Sequence, residues 1–514
     1  MSASTCHWSI LHSPKTARVA IHLHPSLEYL VQACVTAEKL LGHNNIQFCF
    51  LLSPILQKHQ VLQDFLSFLN TNADGLNPLL GQQVHTLHIS RLQILSNLPS
   101  ALYKLLFGRR TLATKKAIVS LSYASKDSIM RKSSSLIYFL SPQPVRFIFE
   151  ISHLIWATAF QLTYKHKLSH SQYDLIVASH ATYIPYVALI EAALSCNTHV
   201  LVHDVYKSFL LKAQSSTYHS NRFLYEATQS LQHSTLLPVT SNTYVDPTSP
   251  FAGTIPQSEK PSSQHNDHFH AKRTLIIATH CLKDCNHNCD PSAMIFDNYF
   301  DWTLYTSVCL SVFSTDFDYV IYKIHPHATQ YRDKTILLLI GLLLKVGVNR
   351  HKVYLEGRSS RVENSASIYQ RFIPTTVSFH GSIINESAIT GKGSISAGLA
   401  PAVHSSFILP SSLSSYQKHL LDPNLSSHLM RLDKETVSAA ENLRKVQSLI
   451  NLSGILRDYS FNDRFRSLYF FGSSEPFNPN DFKQLLLSYK DAFDLRIINV
   501  NRVISFISYF NCST

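Results

Sequence analysis

The sequence predicts an α/β fold made of two doubly wound halves, with a mainly helical region at the carboxyl end. Three observations carry this. Short, almost wholly apolar runs rich in β-branched residues recur at 17–23, 46–52, 174–178, 199–202, 274–279 and 319–324, as expected of strands buried on both faces. Apolar stretches of helical length lie between many of them, long enough for parallel crossovers. A polar stretch at 213–272, rich in Ser, Gln, His, Asn and Pro, interrupts the alternation once, and the alternation then restarts.

In chain order, the strand at 17–23 is followed by Pro25 at a helix start, a periodic helix to about Leu41, and the strand at 46–52. A helix at about 145–165 leads to the strand 174–178, then Ser179-His180, a helix at about 183–195 and the strand 199–202 ending at His203-Asp204. After the polar stretch come the strand 274–279, a helix at about 296–313, the strand 319–324, a helix at about 333–346 and a short strand at 353–355. The run 373–379 forms a further strand, 383–390 a helix and 394–397 a short strand, and about 415–510 reads as mainly helical. The expected domains are 1–212, a linker 213–272, a second α/β domain 273–410 and a helical region 411–514. Ligands of such sheets sit at the carboxyl ends of the strands. His180, His203, Asp204, His280, His325 and His380 all fall just after predicted strands.

At 514 residues the chain exceeds one ordinary core, and 45% hydrophobic content allows sizeable ones. A net charge of +12 favours anionic partners such as nucleotide phosphates, lipid head groups or acidic glycans. The start lacks the basic and apolar regions of a signal peptide, and no run reaches 18 apolar residues, so a cytoplasmic protein with reduced thiols is expected. Aromatic residues are not interleaved with the basic ones as in nucleic-acid binders, so nucleic acid is not an expected partner.

Of only 14 glycines, four fall between 381 and 398, where Gly381 and Ser382 follow the strand 373–379. A strand, a Gly-Ser turn and a helix bring backbone N–H groups to a phosphate, and Glu386, one turn into the helix, can take a ribose diol. One β/α unit earlier, Lys323-Ile324-His325-Pro326 ends a strand; Pro326 fixes the chain direction, and an ammonium with an imidazole suits a phosphate leaving group.

These motifs resemble those of bacterial capsule and surface-polysaccharide glycosyltransferases of the GT-B type. The resemblance lies in Lys323-x-His325-Pro326, then Ser378-x-His380-Gly381-Ser382-x-x-x-Glu386, then Gly391-Lys392 and Gly398. The loop Thr279-His280, Asp284, Asn286-His287 and the stretch 296–302 are similar as well. Two departures stand in the chain: Ser382 replaces a Thr, and Gly393 replaces a Pro. The resemblance spans about residues 270–405. It implies two Rossmann-like domains facing a cleft and metal-independent transfer of a sugar from a nucleotide donor to a surface glycan or its lipid-linked precursor. It also implies donor contacts from Lys323, His325, His380, Gly381, Ser382 and Glu386, with His280, Asp284 and His287 in a cleft loop. A non-catalytic nucleotide- or glycan-binding protein with a degenerate fold of this type is the second reading.

A base in the first domain has no motif; His24, His180 and Asp204 are candidates by position. His280, Cys281, Cys285, His287 and Cys289 offer a rival zinc reading, but they lack the C-x-x-C spacing of a structural site, so neither metal nor cofactor is expected. The stretch Lys104, Arg109, Arg110, Lys115, Lys116, Lys126, Arg131 and Lys132 has only Asp127 against it. It is either a contact for anionic lipid on the inner membrane, a contact for an acidic acceptor, or a solvated face.

Overall fold

A computed structural model describes residues 17–24, 46–54, 84–108, 111–132, 135–204, 207–211, 274–283, 294–313, 319–325, 335–345, 353–356, 374–381, 383–400, 402–422 and 432–450, with scattered single positions. They form two compact units. The first takes in the described residues up to 126, those of 148–211 and those from 449 on; the second takes in those of 127–147 and of 274–448.

The first sheet holds β1 (Ala17–His22), β2 (Ile46–Leu52), β3 (Val84–His88), β4 (Leu175–Ala178), β5 (His199–Asp204) and β6 (Lys207–Leu211) in the order β3-β2-β1-β4-β5-β6. All neighbours are parallel except β5 and β6, which are antiparallel. The second sheet holds β7 (Thr274–Ala278), β8 (Tyr319–Lys323), β9 (Val353–Glu356), β10 (Pro374–Ser378), β11 (Ser394–Ser396) and β12 (Phe407–Ile408) in the order β12-β11-β10-β7-β8-β9, parallel throughout. Counted from its own first strand, each sheet has the order 3-2-1-4-5-6 of a Rossmann-like doubly wound fold. The direction of winding reverses between β1 and β4 in one sheet and between β7 and β10 in the other. Those two crevices are where such sheets bind ligands.

The central strands are buried on both faces: Val19, Ala20 and Ile21 of β1, and Leu275, Ile276 and Ile277 of β7, have no exposed surface. That is why they read as unbroken apolar runs rather than alternating ones. The strands β3, β6 and β12 were not expected from the sequence. Val84-His85-Thr86-Leu87-His88 carries too few apolar residues to stand out, and β12 is two residues long.

Helices α1 (Arg91–Ser96), α2 (Leu98–Phe107), α3 (Leu112–Lys132), α4 (Ser135–Leu140) and α5 (Gln143–Ser169) connect β3 to β4, and α6 (Ile184–Ser195) connects β4 to β5. The second unit has α7 (Tyr299–Val312), α8 (Thr335–Lys345), α9 (Ile383–Ile389), α10 (Leu413–Leu420) and α11 (Lys434–Ile450). Its core centres on the fully buried Trp302, whose indole N–H donates to the Tyr416 hydroxyl at 2.9 Å; Thr306 shares that hydroxyl at 2.8 Å. Burial pushes the Tyr416 phenol far above its ordinary range, and Tyr322, which donates to Ser307 at 2.7 Å, up to about 12. Ile129, Met130, Tyr138 and Phe139, from the end of α3 and from α4, complete this core, with Phe139 stacked on Phe300 at 4.7 Å. A segment lying between two strands of the first sheet is therefore core material of the second unit.

Candidate functional site

The site begins at the carboxyl ends of β7, β8 and β10. Thr279, just past β7, donates both its N–H (3.0 Å) and its hydroxyl (2.8 Å) to the carbonyl of Lys323, the last residue of β8. This double bond draws the chain after β7 against the end of β8 and sets His280 over His325. Their rings stack at 4.4 Å. The other face of His280 stacks on Tyr299 at 4.3 Å with the planes only 3° apart. The Cys281 N–H lies 2.9 Å from His280 Nδ1, and the Cys281 carbonyl lies 3.2 Å from the same nitrogen. His380, past β10, completes the group: it is 6% exposed, its Nε2 shares a hydrogen bond with the Tyr299 hydroxyl, and its ring lies 6.0 Å from His280. Three imidazoles from the ends of three adjacent parallel strands thus cluster at the crevice between β7 and β10, with His280 at the centre and Tyr299 in contact with His280 and His380. Lys323 is buried to 9% exposure beside them.

Tyr299 was not a site residue in the sequence reading. Asn298 places it: the Asn298 side chain accepts from the Asp301 N–H at 2.9 Å and starts α7, so that Tyr299 is the first helical residue. The Asn-x-x-Asp spacing is a signal for that helix start, but the tyrosine's direction depends on the sheet beneath it.

The glycine-rich window divides between the two edges of the sheet. Gly381 lies at the carboxyl edge, where its N–H donates to Ser378 Oγ at 3.1 Å; a Cβ there would stand 3.0 Å from that oxygen. The Gly381 amide is thus already engaged within the turn. Glu386 lies on α9, half-exposed and without a hydrogen bond or ion pair among the described residues, so its carboxylate is open to a ligand. Gly391 lies at the amino edge, before β11. At φ +79° it ends α9, with its own N–H on the Ala388 carbonyl at 2.9 Å and the Lys392 N–H on the Ser387 carbonyl at 3.1 Å. That is a left-handed helix cap, for which glycine is the least strained residue. Burial lowers the Lys392 ammonium below its ordinary range, and no carboxylate pairs with it among the described residues.

The first sheet gathers histidines at the equivalent crevice. His24, past β1, and His180, past β4, stack at 5.5 Å. Ser179 Oγ lies 2.7 Å from His180 Nδ1, and Tyr186 of α6 lies 5.1 Å from the His180 ring. His22, the last residue of β1, is fully buried between Tyr186 (4.9 Å) and Tyr164 of α5, whose hydroxyl is 3.2 Å from His22 Nε2. Burial, with a smaller contribution from His180, lowers its pKa to about 3, so it is neutral. His22 went unmarked in the sequence reading; one histidine ending an apolar strand is the only trace it leaves. Tyr183, which leads into α6, has φ +63° and ψ 152°, a conformation that costs a non-glycine residue roughly 1–3 kcal/mol. Asp204 ends β5, one strand beyond β4, and its backbone pairs with Lys207.

The structure thus brings together His280, His325 and His380 in one unit, and His24 and His180 in the other. Ser382, Asp284 and His287 lie outside the described residues, as do Cys285 and Cys289. Among the described residues no group of His, Cys, Asp and Glu is arranged to hold a metal ion. No helix among them is long and apolar enough to cross a membrane.

No protein-family model matches the sequence, and no curated protein matches it. Solved structures give distant likenesses. A glycosyltransferase from Rickettsia africae aligns over 92% of this chain and 99% of its own, at 11% identity and a TM-score of 0.27. Anabaena HepE, solved with UDP and glucose, aligns over 86% and 99% at 12% identity and a TM-score of 0.27. A tyrosyl-tRNA synthetase from Archaeoglobus fulgidus is matched over 37% of this chain and 55% of its own, at 16% identity and a TM-score of 0.21. Scores this low carry no argument about activity.

Proposed function

We propose that this protein is a metal-independent glycosyltransferase that moves a sugar from a nucleotide-sugar donor to a surface or capsular polysaccharide or its lipid-linked precursor. The observation that carries the reading is the stacking of His280 on His325 and on Tyr299, with His380 6.0 Å from His280, at the crevice between β7 and β10. Imidazole N–H groups and the Lys323 ammonium offer fixed positive partners to a leaving nucleoside diphosphate. The Glu386 carboxylate, without a partner among the described residues, suits a ribose diol. Ser382, with Asp284 and His287, belongs to the same reading.

The acceptor hydroxyl attacks the anomeric carbon, the bond from that carbon to the diphosphate breaks, and the electron pair leaves with the nucleotide. A base takes the hydroxyl proton; His24, His180 and Asp204 of the first unit are the candidates. The protein works in the cytoplasm in this reading, with the segment 104–132 touching the inner face of the membrane that carries the acceptor.

The second reading is a nucleotide- or glycan-binding protein without activity. It is favoured by two internal bonds, Gly381 N–H to Ser378 and Tyr299 hydroxyl to His380, which use groups a donor would otherwise engage. A thermal-shift screen with CMP-, UDP-, GDP- and CDP-linked sugars, followed by donor hydrolysis, separates the two. The transferase reading expects one donor to raise the melting temperature and to be turned over, with both effects lost in His325→Ala. Stabilisation without turnover supports the binding protein. Full turnover in a folded His325→Ala protein overturns the site.

A further inference from the structure

Helix α2 turns a row of large apolar side chains to solvent. Its inner side holds the buried Ala101 and two polar contacts: Lys104 is half-buried and donates from Nζ to Gln161 of α5 at 2.6 Å, and Asn97, at the N-cap position, donates to Thr163 at 3.0 Å, while Ser100 is exposed. Gln161 and Thr163 are themselves only 2% exposed. Leu98 and Leu105 of the helix are partly buried, but four of its large apolar side chains face solvent: Leu102 is 46% exposed, Tyr103 68%, Leu106 63% and Phe107 60%. Their spacing of three and four puts them on one face, where the Tyr103 and Phe107 rings touch at 5.1 Å. Most of the exposed large apolar side chains among the described residues lie in this same connection between β3 and β4. Single exposed leucines are ordinary, but a contiguous apolar face marks an interaction surface.

The charge around this face identifies the partner. From Arg91 to Lys132 the only acidic residue is Asp127, and it is buried. Arg91 and the α3 residues Lys115 and Lys116 are exposed, and each lies within a turn of an exposed apolar side chain on its own helix, Leu95 and Val119 respectively. We infer that the outer face of α2, flanked by the basic first turns of α3, docks on an anionic lipid surface, with Leu102, Tyr103, Leu106 and Phe107 entering the head-group boundary and Lys115 and Lys116 meeting lipid phosphates. An interfacial helix combines an apolar face with basic flanks in this way, and aromatic side chains favour that depth. A two-fold pairing with a second copy brings identical basic patches together and is opposed by their charge. The inference gives the surface for the membrane contact of segment 104–132 that the proposed function includes, and its test does not depend on sugar transfer.

Co-sedimentation of the full chain with vesicles tests it without any sugar donor. The expected result is sedimentation with vesicles of phosphatidylcholine mixed with phosphatidylglycerol, and much weaker sedimentation with phosphatidylcholine alone. The double substitution Leu106→Ser, Phe107→Ser is expected to lower vesicle partitioning at least ~10-fold. Lys115→Gln and Lys116→Gln are expected to lower it roughly fivefold each and to reduce its salt sensitivity. Unchanged circular dichroism confirms that these solvent-facing substitutions leave the fold intact. Equal sedimentation with both vesicle types, none with either, or an undiminished Leu106→Ser, Phe107→Ser protein overturns the inference. So does a dimer in vesicle-free buffer that this double variant converts to monomer.

Discussion

The crevice of the first sheet and the crevice of the second are built on the same strand order and from the same residue type, yet they hold their histidines differently. In the second, Tyr299, His280 and His325 form a stack, and a side-chain hydrogen bond ties His380 to its tyrosine. In the first, two imidazoles from β1 and β4 stack above a third that is sealed away from water and held neutral. Topology therefore decides where polar residues gather, and packing decides what each can do. The second crevice links its imidazoles through a tyrosine, whereas the first sets a stacked pair beside a histidine that stays neutral.

The sharpest test of this difference is a matched pair of substitutions. His280→Ala removes the middle ring of the stack and is expected to lower transfer by roughly 10²–10⁴-fold and to abolish the donor's thermal shift. His24→Ala is expected to lower transfer while keeping that shift. A donor shift lost equally in both variants would break the distinction between the crevices. Next in size is Trp302→Ala, which empties the centre of the second core and leaves the Tyr416 hydroxyl short of a partner. It is expected to cost about 3–5 kcal/mol in urea denaturation.

A third test uses acid. His22 has its folded pKa lowered from 6.5 to about 3, so the unfolded chain binds the extra proton between those values. Its contribution is fully present above pH 6.5 and is lost as pH falls from 6.5 toward 3, by about 2 kcal/mol between pH 7 and pH 5. Urea midpoints at the two pH values measure this, and His22→Asn is expected to flatten the difference. The smallest effect is at Gly391. Gly391→Ala meets open space but is strained at φ +79°, and is expected to cost about 1 kcal/mol of stability with transfer unchanged. A loss of transfer in that variant would return the amino edge to the site.

Much of this was legible in the sequence because strands buried on both faces announce themselves as apolar runs. The residue after such a run stands at the ligand edge, which is how His180, His280, His325 and His380 stood out before any coordinates. Tyr299 did not, because it reaches the stack from a helix and its direction depends on the sheet it covers. The window 381–398 shows the opposite failure. Its glycines are close in sequence, yet α9 carries the chain from one edge of the sheet to the other, so Gly381 and Gly391 serve unrelated ends. Nor does any local pattern reveal that Tyr138 and Phe139 belong to the core around Phe300, since that pairing exists only in tertiary packing.

The stacking of Phe139 on Phe300 also bears on the order in which the chain can mature during synthesis. The strands β1 to β6 emerge before any of β7 to β12, but the segment carrying Ile129, Met130, Tyr138 and Phe139 has no finished core to enter until the chain has been extended past Phe300. Until then the nascent first half carries an uncovered apolar segment between two strands of its own sheet, and a chaperone or the growing second half must shield it.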